Sequence, residues 1–365
     1  MQLSERKYKR IVIKVGSSLF CSKENSIDLL PLAKIATSVV NQMRVGYEVV
    51  IVSSGAIALG MSAMDLCSRP KDLSMLQAAA AIGQNRLMDC YSEEFEEASA
   101  QGQMSKIWCA QVLLTRDDFT DRKRYLNAKN TLLRLLKLGA VPIVNENDTI
   151  STEEIKFGDN DRLSALVATL ISADLLIIFS DVDGLLDNNK EIVKFVPEIT
   201  AQIKSLACPT TKKTCVGGMI TKLEAAKIAT DSGIPCVIAH GNKLGYFEEI
   251  TKDPFSGGAW TVFAPGKGTL VERKRWIAFG TKPKAHLVVD DGARKALLNK
   301  KSLLAVGIVS FEGAFAQGDV VSVVDAQGKE IARGKARVSS KQLETVLGKR
   351  FDREIIHRND IAIMA

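Results

Sequence analysis

The chain has 365 residues, 46% of them hydrophobic and 25% charged, with a net charge of +7; this is globular composition, long enough for two cores. No apolar run approaches the roughly 20 residues of a membrane-spanning helix, and Met1–Gln2–Leu3–Ser4–Glu5–Arg6–Lys7 has no signal-peptide core, so the expected location is cytoplasmic with no membrane partner. Seven scattered cysteines without a Cys-x-x-Cys pair argue against a disulfide framework or a zinc ribbon, and only three histidines (His240, His286, His357), far apart in sequence, give metal clusters and histidine-based triads little to work with.

In chain order, Arg10 to Val15 reads as a buried strand running into Gly16–Ser17–Ser18, with Lys14 inside the apolar run. A lysine followed by a small-residue turn can share an anion with the turn's N–H groups, although a lysine snorkelling at a strand edge has the same pattern. Asp28 to Arg44 has helical spacing and Gly46 closes it. Glu48 to Val52 is a second strand, and Ser53–Ser54–Gly55–Ala56 is a second small-residue turn opening a helix. Two such units imply a parallel sheet with ligand-facing loops. Leu73 to Ala100 is a long helical pattern interrupted by Gly83; Ile107 to Leu114 is a strand, and a helix from Asp121 reaches Leu138. The run Ala140–Val144 then ends in Asn145–Glu146–Asn147–Asp148, which puts polar groups at the carboxyl end of a strand, where open α/β sheets bind ligands.

Gly158–Asp159–Asn160–Asp161 reads as a turn in which Asp159 or Asn160 caps an amphipathic helix carrying Leu163, Leu166, Val167, Leu170 and Ile171. Leu175 to Phe179 is a central strand delivering Ser180–Asp181–Val182–Asp183–Gly184–Leu185. Gly217–Gly218 leads into a helix with Lys222 in its first turn, a plausible anion grip, and Pro235 to Ala239 reads as the last strand of this domain. Beyond the boundary at Pro265–Gly266–Lys267–Gly268, short β-like runs (285–289, 306–311, 320–324, 361–364) alternate with glycine turns, a small, mostly β domain. Residues 267–365 hold 19 Lys/Arg against 11 Asp/Glu, whereas the first 266 balance near zero. The basic tail therefore either touches something acidic or has a solvated basic face.

There is no G-x-x-x-x-G-K-[ST] and no G-x-G-x-x-G, so anion binding would be dispersed over Lys14 with Gly16–Ser17, Ser53–Ser54–Gly55, Gly217–Gly218 and Lys222. Two lysines at separate element ends suit both sides of a transferring phosphoryl group. A carboxylate acceptor needs no general base, because it is already nucleophilic at pH 7.

These landmarks, with Ser53–Ser54–Gly55–Ala56–Ile57–Ala58 and Gly217–Gly218–Met219–Ile220–Thr221–Lys222 among them, resemble the amino-acid kinases over essentially the whole chain, and within them the branch that acts on glutamate. The tail looks like a PUA domain, a module that binds RNA in other proteins. The resemblance implies an α/β/α sandwich with a mainly parallel central sheet over residues 1–263, a linker over 264–280, and a PUA-like domain over 281–365. The implied reaction is ATP-dependent phosphorylation of the glutamate side-chain carboxylate, the first step of proline synthesis, with Mg²⁺ carried mainly by ATP oxygens. Lys14 and Lys222 would bind the phosphates and stabilise the transferring group. Ser54, Asp148 and Asn160 would hold glutamate, Asp148 at the α-ammonium and the Asn160 amide at a carboxylate. Ser180 and Asp181 would line the nucleotide site, and Val216, Gly217, Gly218, Met219, Ile220, Thr221 and Lys222 would close over it. Proline as feedback inhibitor, a homo-oligomer and RNA binding by the tail are further implications. The chain departs from the family pattern in two places: Cys215–Val216 stands where Gly–Thr is usual, and Leu186 where Tyr is usual. The alternatives are a kinase acting on acetylglutamate, aspartate or UMP, which the Asn–Glu–Asn–Asp and Gly–Asp–Asn–Asp pair and the tail oppose, or an RNA-binding protein with a retained kinase-like body.

Overall fold

The computed structural model describes residues 8–19, 28, 30–66, 68–102, 106–151, 159–207, 218–243, 245–266, 274, 276–280 and 283–364. The chain forms two compact units, one from residues 1–118 and 126–269, the other from 119–125 and 270–365. No helix among the described residues is long and apolar enough to cross a membrane.

The first unit is built on an eight-stranded sheet. Its strands are β1 (Arg10–Val15), β2 (Glu48–Ser53), β3 (Cys109–Leu114), β4 (Val141–Glu146), β5 (Leu175–Ser180), β6 (Phe195–Val196), β7 (Cys236–His240) and β8 (Thr261–Phe263), in spatial order β3-β4-β2-β1-β5-β7-β8-β6. Every pairing is parallel except β7 with β8. Central strands of such a sheet are covered on both faces, which is why β1, β2 and β5 read as largely apolar runs, with Lys14 the one charged residue inside β1. β8 corrects the expectation that the strand at 236–240 ends the domain. Three residues are too few to carry a period, and β8 is fixed by pairing with β7.

The helices are α1 (Leu30–Arg44), α2 (Ala56–Ala63), α3 (Leu73–Gln101), α4 (Arg116–Thr120), α5 (Arg122–Lys137), α6 (Asp159–Ile171), α7 (Ala201–Leu206), α8 (Met219–Asp231) and α9 (Gly245–Lys252). Gly83 does not interrupt α3, which starts at its Asp72 cap and runs unbroken to Gln101. A Cβ on Gly83 would fall 1.7 Å from the Ala56 carbonyl oxygen, and one on Gly60 would fall 1.7 Å from that of Ala79. Two bare backbones thus let α2 and α3 touch, and the glycine serves packing.

α6 also departs from expectation. From Asp161 to Ile171 only Arg162 is exposed, so the helix is buried nearly all round and is not amphipathic. Its second face is made of Ser164, Ala165, Ala168 and Thr169, and the hydroxyls are satisfied locally: Ser164 donates to the Asp161 carbonyl and Thr169 to Ser232. α6 begins at Asp159, so its capping position falls outside the described residues.

The second unit has its own five-stranded sheet of β9 (His286–Val289), β10 (Ile308–Glu312), β11 (Val320–Val324), β12 (Glu330–Lys335) and β13 (Ile361–Ile363), in order β10-β9-β11-β12-β13. Its core includes Leu287, Val321, Val323, Ile331, Leu343, Ile355 and Ile356. β12 escapes sequence reading because Glu330, Arg333 and Lys335 mask its apolar side. Helices at Asp291–Leu298 and Ser340–Val346, the latter with a Ser339/Gln342 capping box, add to the expected β-rich pattern.

Candidate active site

Two buried polar clusters lie at the carboxyl ends of the parallel strands. The first is charged. Lys14 reaches the end of β1 with its side chain 8% exposed, and its ammonium lies 2.7 Å from Asp161 Oδ1. Asp161 projects from the first turn of α6 and is itself only 1% exposed. On its other oxygen it receives the Thr221 hydroxyl at 2.8 Å and faces the Lys222 ammonium at 3.4 Å. Both of these partners come from the first turn of α8, whose N-terminus follows Gly218.

One carboxylate therefore faces two ammoniums. Burial pushes the Asp161 carboxyl upward, but Lys14 and Lys222, together with the Lys14 and Thr221 hydrogen bonds, outweigh it and hold it below the usual range. Burial pulls Lys14 below its ordinary value; Asp161 opposes that and the like charge of Lys222 adds to it, while Asp181 also favours the charged form. Asp161 thus gathers two cations, with Asp181 acting on Lys14 more weakly, in a place water reaches poorly. That is the electrostatic signature of a site for an anion that gains charge in a transition state.

The second cluster is neutral. Ser54 opens the turn after β2, and Gly55 takes φ 115° ahead of α2, a left-handed conformation suited to glycine. Asn160 Nδ2 donates toward the Ser53 carbonyl (3.1 Å), Ser54 Oγ (2.9 Å) and Asn145 Oδ1 (2.9 Å). Asn145, at the end of β4, donates to Gln84 Oε1 at 2.8 Å, and Gln84 in α3 donates to Gln111 Oε1 at 3.0 Å. Tyr91 donates to Ser53 Oγ beneath the turn.

The structure thus brings Lys14, Lys222, Thr221, Ser54 and Asn160 around two neighbouring groups. Ser180 ends β5, buried, and donates to Asp181 Oδ1 at 2.9 Å. Gly218 precedes α8, and Met219 and Ile220 are its first residues. Asp148 lies in the turn after β4, half-buried, where its charge acts on Arg69. Val216, Gly217 and the Cys215 departure lie outside the described residues, as does Gly158. Leu186 is exposed and bridges to Ile192.

Sequence reading passed over Asp161 and Gln84 as site residues. The signal for Asp161 was available: it shares helical spacing with Ser164, Ala165 and Ala168, a stripe of small buried residues on which an acid needs a counter-charge. Gln84 also had a signal: it shares helical spacing with Leu76, Ala80, Leu87 and Tyr91, the buried face of α3, where an amide needs polar partners. Among the described residues no three His, Cys, Asp or Glu side chains group so as to hold a metal ion.

Comparison with known proteins adds the lineage. The profile of the amino acid kinase family matches residues 9–240 and that of the PUA domain residues 285–357. The chain is 43% identical to a glutamate 5-kinase from Caldanaerobacter subterraneus subsp. tengcongensis, over 97% of this chain and 98% of that one. It is also 43% identical to a glutamate 5-kinase from Dictyoglomus thermophilum, over 98% of each. Among solved structures, a Giardia carbamate kinase superposes with a TM-score of 0.52 at 18% identity, over 70% of this chain and 99% of that one. The Giardia lamblia enzyme bound to AMP-PNP gives 0.51 at 16%, over 70% and 98%. At that distance the likeness is one of fold.

Proposed function

The chain belongs to the amino acid kinase family, with a PUA domain following, and on that premise we propose how its residues carry out the ATP-dependent phosphorylation of the L-glutamate side-chain carboxylate, the first step of proline synthesis. The catalytic domain is assigned to residues 1–263 and the PUA-like domain to 281–365, joined by 264–280. The observation that carries the mechanism is the single buried carboxylate of Asp161 shared by Lys14 and Lys222.

In this reading Lys14 and Lys222 bind the ATP phosphates from two sides, and Asp161 keeps both ammoniums in place without cancelling their charge. A γ-carboxylate oxygen of glutamate attacks the γ-phosphorus in line. The new O–P bond forms as the bond to the β,γ-bridging oxygen breaks, and ADP leaves with that electron pair. No proton needs to be removed from the nucleophile, so the site works without a general base. The lysines gain most contact with the equatorial oxygens as charge spreads over them, which is how fixed charges lower such a barrier. Ser54, Asn160 and Asp148 hold glutamate, and Ser180, Asp181 and residues 216–222 hold the nucleotide. Because Asp161 is already engaged by both lysines, Mg²⁺ is assigned to the phosphate oxygens of ATP, which suit a hard cation.

The kinship also leads us to expect proline as a feedback inhibitor, a dimer or tetramer, a cytoplasmic location, and RNA binding by the basic tail. Proline titration, particle mass in solution and salt-dependent RNA retention test the first, second and last of these.

The direct test is glutamate-dependent ADP release with Mg²⁺, with hydroxylamine trapping the acyl phosphate as hydroxamate. Turnover that needs glutamate, yields hydroxamate and collapses in Lys222→Ala and Asp148→Ala supports the reading. Well-folded protein without glutamate-dependent turnover would overturn it.

A further inference from the structure

The neutral cluster fixes which end of the Asn160 amide a ligand meets. The Ser53 carbonyl can only accept, so the Asn160 atom 3.1 Å from it must be nitrogen. That nitrogen has two hydrogens and three acceptors already in reach: the Ser53 carbonyl, Ser54 Oγ and Asn145 Oδ1. No N–H remains for a carboxylate. Asn160 Oδ1, by contrast, is shut away from bulk solvent and has no partner among the described residues. An orphaned acceptor of this kind calls for a donor.

We propose that Asn160 meets the substrate with its oxygen, accepting a hydrogen bond from the α-ammonium of glutamate, and that Asn145 and Gln84 are positioning residues that lock the amide in this orientation. The inference rests on the glutamate reading above and revises the role sequence analysis gave to Asn160. Glutamate at neutral pH has two carboxylates, which only accept, and one ammonium, so its ammonium is the sole strong donor that Oδ1 can use. The lock runs in one direction. Asn160 donates to Asn145, Asn145 to Gln84, and Gln84 to Gln111. Asn145 Oδ1 also receives the Glu146 backbone N–H at 2.9 Å, which prevents the Asn145 amide from turning over. Asn145 and Gln84 are both buried, 2% and 9% exposed, so neither can exchange its partner freely for water. Reversing Asn160 would set its oxygen against the Ser53 carbonyl and against Asn145 Oδ1 at once.

The test uses two truncated analogues as competitive inhibitors of L-glutamate in the full chain. γ-Aminobutyrate keeps the ammonium and lacks the α-carboxylate; glutarate keeps both carboxylates and lacks the ammonium. A hydrogen bond to a charged group predicts that Asn160→Ala raises the Ki of γ-aminobutyrate and the KM of glutamate roughly ten- to a hundredfold and leaves glutarate unchanged. Gln84→Met should show the same selectivity at about a tenth of that size, with the KM for ATP unaltered. Unchanged glutarate and ATP constants serve as the control for folding. Weakened glutarate with unchanged γ-aminobutyrate would overturn the proposal in favour of an amide N–H on the carboxylate. Equal weakening of all three ligands, or of none, would overturn it as well. Absence of glutamate turnover in the wild type would instead refute the functional reading, so the two failures are distinct.

Discussion

The charged cluster of Lys14, Asp161 and Lys222 and the amide chain of Asn160, Asn145, Gln84 and Gln111 start from adjacent residues of one helix turn, yet they solve different problems. The first gathers charge: one buried carboxylate holds two cations at separate element ends. The second is balanced to within one atom: every buried amide group along it is matched except the Asn160 oxygen. Charge is suited to a group that changes charge during reaction. Neutral amides are suited to orientation, because their partners are directional and add little long-range field. In the proposed reading Asn160 and Asp161, one residue apart on α6, divide recognition from catalysis.

The largest effect should come from breaking the charged side. Asp161→Asn leaves Lys14 and Lys222 as buried like charges; it should cost about 3–5 kcal/mol in denaturant unfolding and lower kcat by roughly 10²–10³-fold. Lys222→Ala should lower kcat similarly yet cost less stability, because Lys14 and Asp161 remain a neutral pair. Next is Gly83→Ala, whose new methyl collides with the Ala56 carbonyl. Unfolding should show a loss of about 1–3 kcal/mol, as overpacking does, and glutamate KM should rise because the adjacent Gln84 is displaced.

A smaller effect separates the clusters by pH. The Asp161 carboxyl is held below its ordinary value of 3.8, so it stabilises the fold above that pH and the contribution is lost as pH falls below it. Denaturation midpoints followed from pH 6 to pH 3 should fall more steeply in the wild type than in Asp161→Asn, whereas Gln84→Met should parallel the wild type. The smallest change is expected from Gln111→Met at the exposed end of the amide chain: stability within about 0.5 kcal/mol and glutamate KM within about twofold. A large KM change there would show that the lock extends to the sheet edge.

Much of the fold was legible because parallel strands buried on both faces must be apolar throughout. The runs at Arg10–Val15, Glu48–Ser53 and Leu175–Ser180, each followed by small or acidic residues, announce both the sheet and its ligand-facing ends. Lys14 and Lys222 were legible for the same reason, a cation beside a small-residue turn or in a helix's first turn. Asp161 was half-legible: its type and its stripe were in view, but its partners lie 147 and 61 positions away in sequence. β8 and β12 were not, since a three-residue strand or a charge-masked one owes its existence to a neighbour's unpaired backbone.

By itself, then, the sequence determined the class of fold, because periodicity and small-residue turns are local properties, while the PUA-like tail and the family of reaction came from the resemblance that its motifs carry. Tertiary structure alone decided that Gly83 is a contact and not a break, that Asp161 bridges two lysines, and that the Asn160 amide spends its N–H groups on Ser53, Ser54 and Asn145 and leaves its buried oxygen without a partner among the described residues. Each of those depends on atoms brought together from distant elements, where only geometry settles which donor meets which acceptor.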